Sequence, residues 1–201
     1  YMPWKSLGRL LGYGSFTPEF RRKAVTVLGA RPKMGKTVTM CSIAHAIAKQ
    51  ERTCLFFSAE MPVDEVFAHM LAAESGIDTW RINKKQFTDE QRWEVVTSAE
   101  GIAALPLYFD DTKSISLAEL MAKVRWFVDN VGPIDFIGLD YIQFMSDVDD
   151  DPRKALSRIM KALAAIATNY NCHVFVLSQL KRAVDDRQNK RGGAADLSDS
   201  D

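Results

Sequence analysis

Short apolar runs rich in β-branched and aromatic residues alternate along the chain with stretches that repeat their apolar positions at helical spacing. This alternation is typical of a parallel sheet covered by helices. The runs predict five strands, at residues 24–28, 54–58, 107–109, 134–139 and 174–178. Five helices are predicted at residues 36–50, 63–75, 89–103, 117–130 and 152–169. The pattern therefore indicates an α/β domain with a mostly parallel sheet flanked by helices.

Residues with known capping preferences precede several of these helices. Ser116 is followed three residues later by Glu119, which is the spacing of a capping box, and Thr88 precedes an acidic pair.

Residues 1–20, with glycines and two prolines, are predicted to form an incoming linker that packs on the core. Residues 21–201 then form one domain, and its polar end, residues 181–201, is expected to be a mobile loop.

Composition narrows the class of protein. A chain of 201 residues that is 47% hydrophobic and 26% charged fits one soluble domain with a core of ordinary size. Its apolar runs are shorter than the ~18 residues of a membrane span, so a cytoplasmic protein without membrane contact is expected. Lys and Arg total 26, as do Asp and Glu, so any contact with nucleic acid must be local. The three cysteines lie in apolar stretches and are expected to be reduced packing residues.

The stretch VTVLGARPKMGKTVTM, residues 25–40, joins the first predicted strand to the first predicted helix. A turn at this place directs backbone N–H groups at phosphate oxygens, and the helix dipole adds to the attraction. Gly35 allows close approach of the backbone to the anion, Lys36 can reach the outer phosphates, and Thr37 can offer its hydroxyl to Mg²⁺. The segment is therefore predicted to bind a nucleoside triphosphate. An ordinary turn between a strand and a helix is the alternative.

Ala30 stands where this loop pattern has its first glycine. A small side chain can serve there if the backbone angle φ is negative, so the substitution does not exclude phosphate binding. The predicted nucleotide-binding residues are Ala30, Arg31, Pro32, Lys33, Met34, Gly35, Lys36 and Thr37.

Three polar residues follow other predicted strands, at the edge where an open α/β sheet binds its ligands. Asp140 could hold Mg²⁺, Glu60 could deprotonate an attacking water, and Gln179 could sense the outermost phosphate through its amide. Taken singly, the three could equally be a turn residue, an exposed acid and a surface amide. Their order after a phosphate loop favours the catalytic interpretation, in which Lys36, Glu60 and Gln179 are catalytic and Thr37 and Asp140 bind metal.

The segments GARPKMGKT, FFSAEMP, LDYIQFM and LSQLKR resemble the leading motifs of the RecA-like ATPase domain of DnaB-type replicative helicases. They follow that family's order and spacing, and the family commonly has alanine in the first position of the loop. The resemblance implies a RecA-like P-loop core and a ring, commonly of six subunits, that uses ATP or another NTP with Mg²⁺ to translocate on single-stranded DNA. It also implies that Glu60 is the catalytic base, Asp140 the metal-side aspartate and Gln179 the link to DNA.

The same resemblance places the tail in the DNA-facing loop, whose candidate DNA-binding residues are Lys181, Arg182, Arg187, Lys190 and Arg191. Ser198 stands where the family has a basic residue, which predicts weak DNA contact. Loader and primase contacts are expected through regions outside the 201 residues. The family's finger arginine has no counterpart here either, so the isolated chain is expected to be weakly active.

Three other functions are compatible with the phosphate loop. A RecA-like ATPase of the recombinase or clock type would assemble without unwinding DNA, and a small-molecule kinase would need an arginine-rich lid. A truncated helicase-like module would bind nucleotide or a partner without turnover. A strand-displacement assay separates the helicase from all three.

Overall fold

The computed structural model describes residues 21–31, 33–140 and 152–179. Within these residues lie five strands: β1 (Ala24–Ala30), β2 (Cys54–Ser58), β3 (Leu107–Asp110), β4 (Phe136–Asp140) and β5 (His173–Gln179). The same part of the chain contains six helices: α1 (Lys36–Ala48), α2 (Val63–Ser75), α3 (Thr79–Lys84), α4 (Asp89–Ala103), α5 (Leu117–Asn130) and α6 (Pro152–Asn169).

The five strands form one sheet in the order β1-β5-β4-β2-β3, and every neighbouring pair is parallel. The predicted α/β class with a parallel sheet is therefore confirmed. Strands β4 and β5 are inserted between β1 and β2, which are consecutive in the chain. As a result, the carboxyl ends of β1, β5, β4 and β2 lie side by side at one edge of the sheet, where such sheets bind ligands.

Helices cover both faces of the sheet because side chains of a strand alternate between its faces. On one face, Val174 and Val176 of β5 pack in a cluster with α5 and α6. On the other face, Phe175 and Leu177 of β5 pack in a second cluster with α1, α2 and α4. The sheet thus has an apolar layer on each side, which explains why both faces of its central strands carry mainly apolar residues.

Several boundaries differ from the sequence-based prediction. β1 continues through Gly29 to Ala30, because these residues pair with Ser178 and Gln179 of β5. Helix α3 was not predicted, and none of its residues is buried, so it lacks the apolar period on which the other helices were recognised. The predicted capping box at Ser116 is present, and α4 carries a second one.

The three cysteines, Cys41, Cys54 and Cys172, are buried and free, which confirms their predicted role in packing. In the part of the chain that the structure describes, no helix has both the length and the apolar character to cross a membrane.

Candidate nucleotide-binding site

The turn between β1 and α1 leads into a helix N-terminus that has no side-chain cap. Ala30 ends β1 in strand conformation, so an alanine is accommodated at this position. Lys33 and Gly35 adopt positive φ angles of 63° and 76°, and Gly35 is the N-cap of α1. A glycine cap brings no side chain, and the first turn of α1 contains no acidic residue. The N-terminal N–H groups of α1 therefore meet no side-chain cap from Gly35 and no anionic side chain in that turn.

Close packing between α1 and β4 holds this turn in place. A Cβ atom built on Gly138 of β4 would lie 2.6 Å from Sδ of Met40, which is closer than real carbon atoms approach. Met40 and Ala44 of α1 are completely buried against the sheet. The start of α1 is thus brought next to β4, the strand that ends in Asp140.

The hydroxyl of Thr37, in the first turn of α1, donates a hydrogen bond of 2.6 Å to Oδ2 of Asp140. Asp140 is buried, and the pKa of its carboxyl group is raised to about 6. Burial is the main cause and the charge of Glu60 adds to it, while the Thr37 hydroxyl and Lys36 act in the opposite direction. The second carboxylate oxygen, Oδ1, has no hydrogen-bond partner within the described residues. A buried carboxylate with one unsatisfied oxygen is a costly arrangement that a bound cation would stabilise.

Lys36 is buried beside this carboxylate. Burial lowers the pKa of its ammonium group, and the negative charges of Glu60 and Asp140 oppose that effect. The ammonium group is therefore close enough to both carboxylates to interact with their charge. A positive charge at the start of this helix can also bind an anionic ligand.

Glu60 is exposed in the loop after β2; one backbone hydrogen bond joins this loop to β4, and one side-chain hydrogen bond lies within the loop. The amide N–H of Ala59 donates to the carbonyl oxygen of Asp140 at 2.9 Å, and Ser58 Oγ donates to the Met61 carbonyl oxygen at 2.6 Å. Sequence reasoning identified Glu60 but not these anchors, since neither contact has a local sequence signal.

Gln179 ends β5, directly opposite Ala30 in the pairing with β1. Its side chain is half-buried. Because β5 lies between β1 and β4 in the sheet, Gln179 lies between the strand that leads into the phosphate loop and the strand that ends in Asp140. In the loop itself, Arg31 is half-buried, whereas Lys33 and Met34 are exposed. Six predicted residues lie outside the described residues, namely Pro32, Lys181, Arg182, Arg187, Lys190 and Arg191.

The residues present fit Mg²⁺. This ion prefers oxygen ligands and keeps several waters, so it needs only one or two protein ligands beside phosphate oxygens. The Thr37 hydroxyl and the Asp140 carboxylate supply oxygen atoms, and Oδ1 of Asp140 still has bonding capacity. No group of three or more His, Cys, Asp or Glu side chains within the described ranges could hold a metal ion. A cation here would therefore depend on the nucleotide for most of its non-water ligands.

The chain matches the profile of a protein family described as DnaB-like helicase C terminal domain over residues 13–201. It is 36% identical over 189 residues to the replicative DNA helicase DnaB of Synechocystis sp. and 32% identical over 189 residues to the replicative DNA helicase DnaC of Bacillus subtilis. Each match covers 92% of this chain, which spans 22% and 41% of the lengths of those two relatives.

Solved structures show the same fold. One of them, an isolated ATPase domain, superposes with a TM-score of 0.82 at 24% identity, covering 96% of this chain and 68% of that one. A second structure, of a DnaB-like replicative helicase and its interactions with primase, also gives a TM-score of 0.82 at 24% identity, covering 96% of this chain and 47% of that one. The fold is that of the RecA-like helicase ATPase domains, as the sequence motifs predicted.

Proposed function

The chain belongs to the DnaB-like helicase C-terminal domain family, and we propose on that basis that it is the NTP-hydrolysing motor domain of a replicative DNA helicase. The observation that carries the proposal is the hydrogen bond between Thr37 and Asp140, which joins the phosphate loop to a buried strand-end carboxylate. A structural turn would not need an unsatisfied carboxylate oxygen at its base, whereas a site for a metal-bound triphosphate does.

Binding of the triphosphate uses the backbone and two side chains of the loop. N–H groups of residues 33–37 and the positive end of α1 are assigned to the phosphates, and Lys36 contributes a compact positive charge at the outer ones. Thr37 and Asp140 would hold Mg²⁺, which neutralises phosphate charge when it is bound. Binding therefore satisfies Oδ1 of Asp140 and adds a cation beside its buried charge.

Hydrolysis requires a base that water can reach. Glu60 is exposed and follows the strand next to that of Asp140, so its carboxylate can accept a proton from a water molecule at the outermost phosphate. The water oxygen then bonds to phosphorus as the bond to the leaving diphosphate oxygen breaks. We assign to Gln179 the response to loss of the phosphate, and its pairing with Ala30 at the end of β1 supports this assignment.

At the level of the whole protein, we propose a ring, commonly of six subunits, that moves along single-stranded DNA in the cytoplasm. DNA contacts are assigned to the basic residues of the 181–201 tail, and primase and loader contacts to other parts of the protein. The support is the family membership and the relatives named as replicative DNA helicases.

Nucleotide binding is tested with Lys36→Ala. The variant should lose measurable ATP affinity in calorimetry while its circular dichroism and thermal unfolding stay those of a folded protein, because the ammonium group serves the ligand. Lys161→Met, which removes a positive charge from the exposed side of α6, is the matched control and should bind normally. Unchanged affinity in the folded Lys36→Ala protein would refute the assignment.

Catalysis is tested with Glu60→Gln, which keeps the shape of the side chain but removes the base. It should bind ATP like the parent and hydrolyse it about 10²-fold more slowly or worse. The parent, but not this variant, should displace a strand from a forked DNA duplex in the presence of Mg²⁺ and ATP. Hydrolysis without strand displacement by the full-length parent would favour the recombinase-type alternative.

A further inference from the structure

A lysine from the neighbouring loop holds the backbone of Glu60. Nζ of Lys113, between β3 and α5, donates to the carbonyl oxygen of Ala59 at 2.9 Å and lies 3.4 Å from that of Glu60. We propose that Lys113 is a positioning residue for NTP hydrolysis, one that fixes the Glu60 carboxylate relative to the phosphate loop. This inference rests on the proposed function, since it assigns a role to Lys113 only through the base Glu60.

The loop that carries Lys113 is braced at its start. Asp110, the last residue of β3, forms an ion pair with Lys123 of α5 and accepts a hydrogen bond of 3.0 Å from the Thr112 amide. Lys123 also donates to the Thr112 hydroxyl at 2.7 Å. These contacts set the direction in which the chain leaves the sheet, so the backbone just before Lys113 has a defined position.

The loop is also anchored after Lys113. Ser114 has a positive φ angle of 55°, which turns the chain, and the next residue, Ile115, is buried in the core cluster of α5 and α6. Ser116 then caps α5 through reciprocal hydrogen bonds with Glu119. Lys113 thus projects from a short segment that is fixed on both sides. A fixed base for a long side chain reduces the entropy lost when its ammonium group binds two carbonyl oxygens.

The loop of Glu60 needs such a contact. The other hydrogen bonds of this loop hold residues next to Glu60 rather than Glu60 itself. The Ala59 amide donates to the Asp140 carbonyl oxygen, and the Ser58 hydroxyl donates to the Met61 carbonyl oxygen. Within the described residues, Lys113 makes the only hydrogen bond that the structure gives to the Glu60 peptide group. Hydrogen bonds from an ammonium group are about twice as strong as neutral ones. Loss of Lys113 would therefore leave the peptide that carries the base free to move while the metal side of the site stays intact.

The test compares Lys113→Met and Lys113→Arg with the parent in the full-length protein. The methionine keeps the aliphatic stem and removes the donor, so kcat for ATP hydrolysis should fall about 10- to 100-fold while KM and ATP affinity stay near the parent values. Arginine presents several N–H donors and should recover most of the activity. Lys161→Met is again the charge-matched control and should keep the parental kcat.

A second arm asks whether Lys113 acts through Glu60. In a Glu60→Gln background, Lys113→Met should cause no further loss of hydrolysis, because residues that act as a unit are not additive. A parental kcat in folded Lys113→Met, a full additional loss in the double variant, or a fall in ATP affinity that matches the fall in kcat would each overturn the inference. Failure of the proposed function has a different signature, namely a parent that neither binds nor hydrolyses ATP.

Discussion

Replacement of Asp140 by Asn should remove a loss of stability that the nucleotide-free parent suffers as the pH rises, and it should also remove the proposed metal ligand. Burial raises the pKa of the Asp140 carboxyl from its ordinary value of 3.8 to about 6. The folded state therefore holds this proton more tightly than the unfolded state does. The resulting stabilisation is fully present below pH 3.8 and is lost as the pH rises through about 6.

The size of the effect follows from the two pKa values. A difference of about 2 pKa units at 1.36 kcal/mol per unit gives about 3 kcal/mol of stability lost by pH 7. Asparagine stays neutral and keeps an oxygen that can accept the Thr37 hydrogen bond, but its amide N–H groups replace an oxygen without a partner. That replacement costs about 1–3 kcal/mol at every pH. The prediction therefore concerns how the difference in unfolding free energy between variant and parent changes with pH, and not the size of that difference at one pH.

The assay is urea unfolding of both proteins from about pH 4.5 to 7.5 in EDTA without nucleotide. The free energy of unfolding of the asparagine variant, relative to the parent, should rise with pH by about 2 kcal/mol over this range. With Mg²⁺ and ATP at ~100 times the dissociation constant, the parent should gain about 2.7 kcal/mol and the variant should gain little.

Asp110→Asn is a matched control, because it makes the same chemical change at the end of another strand of the sheet, β3. Burial acts to raise the pKa of Asp110, but hydrogen bonds from Lys123 and Thr112 outweigh it, and the pKa is lowered. Its stabilising contribution is present above pH 3.8 and is lost only at lower pH, so the stability difference for Asp110→Asn should change little across the assayed range. A stability difference for Asp140→Asn that does not change with pH, or that falls as the pH rises, would refute the reasoning.

Two further predictions concern the packing that positions the site. Gly138→Ala should lower the free energy of unfolding, measured in urea, by about 1–3 kcal/mol, and it should weaken ATP binding in calorimetry. The reason is that the new methyl group pushes Met40 and the start of α1 away from β4. An unchanged ATP affinity would show that the phosphate loop does not depend on this contact. Ser116→Ala should cost about 1 kcal/mol through loss of the α5 cap and leave ATP affinity unchanged, and parental stability would contradict the role of the capping box.

Local patterns in the sequence were sufficient for the class of fold and for the candidate residues. Apolar runs of strand length predicted the five strands of the described residues, because a strand that packs against helices carries mainly apolar side chains. The spacing from Ala30 to Thr37 is likewise a local property, since a tight turn into a helix needs its glycine and lysine next to each other. The sequence predicted Glu60, Asp140 and Gln179 as site residues because each is a carboxylate or amide side chain at or just after the end of a predicted strand.

Only the tertiary structure decided how these groups meet. Thr37 and Asp140 are 103 positions apart, and their contact exists because β4 and β5 are inserted between β1 and β2. The role of Gly138 depends on Met40 of a distant helix, so the sequence around it carries no sign of the close approach. Lys113 resembles any other lysine in a polar turn until parallel pairing of β2 with β3 places its ammonium group on the loop of the proposed base. Strand order and close packing arise from contacts between distant residues, which no local pattern records.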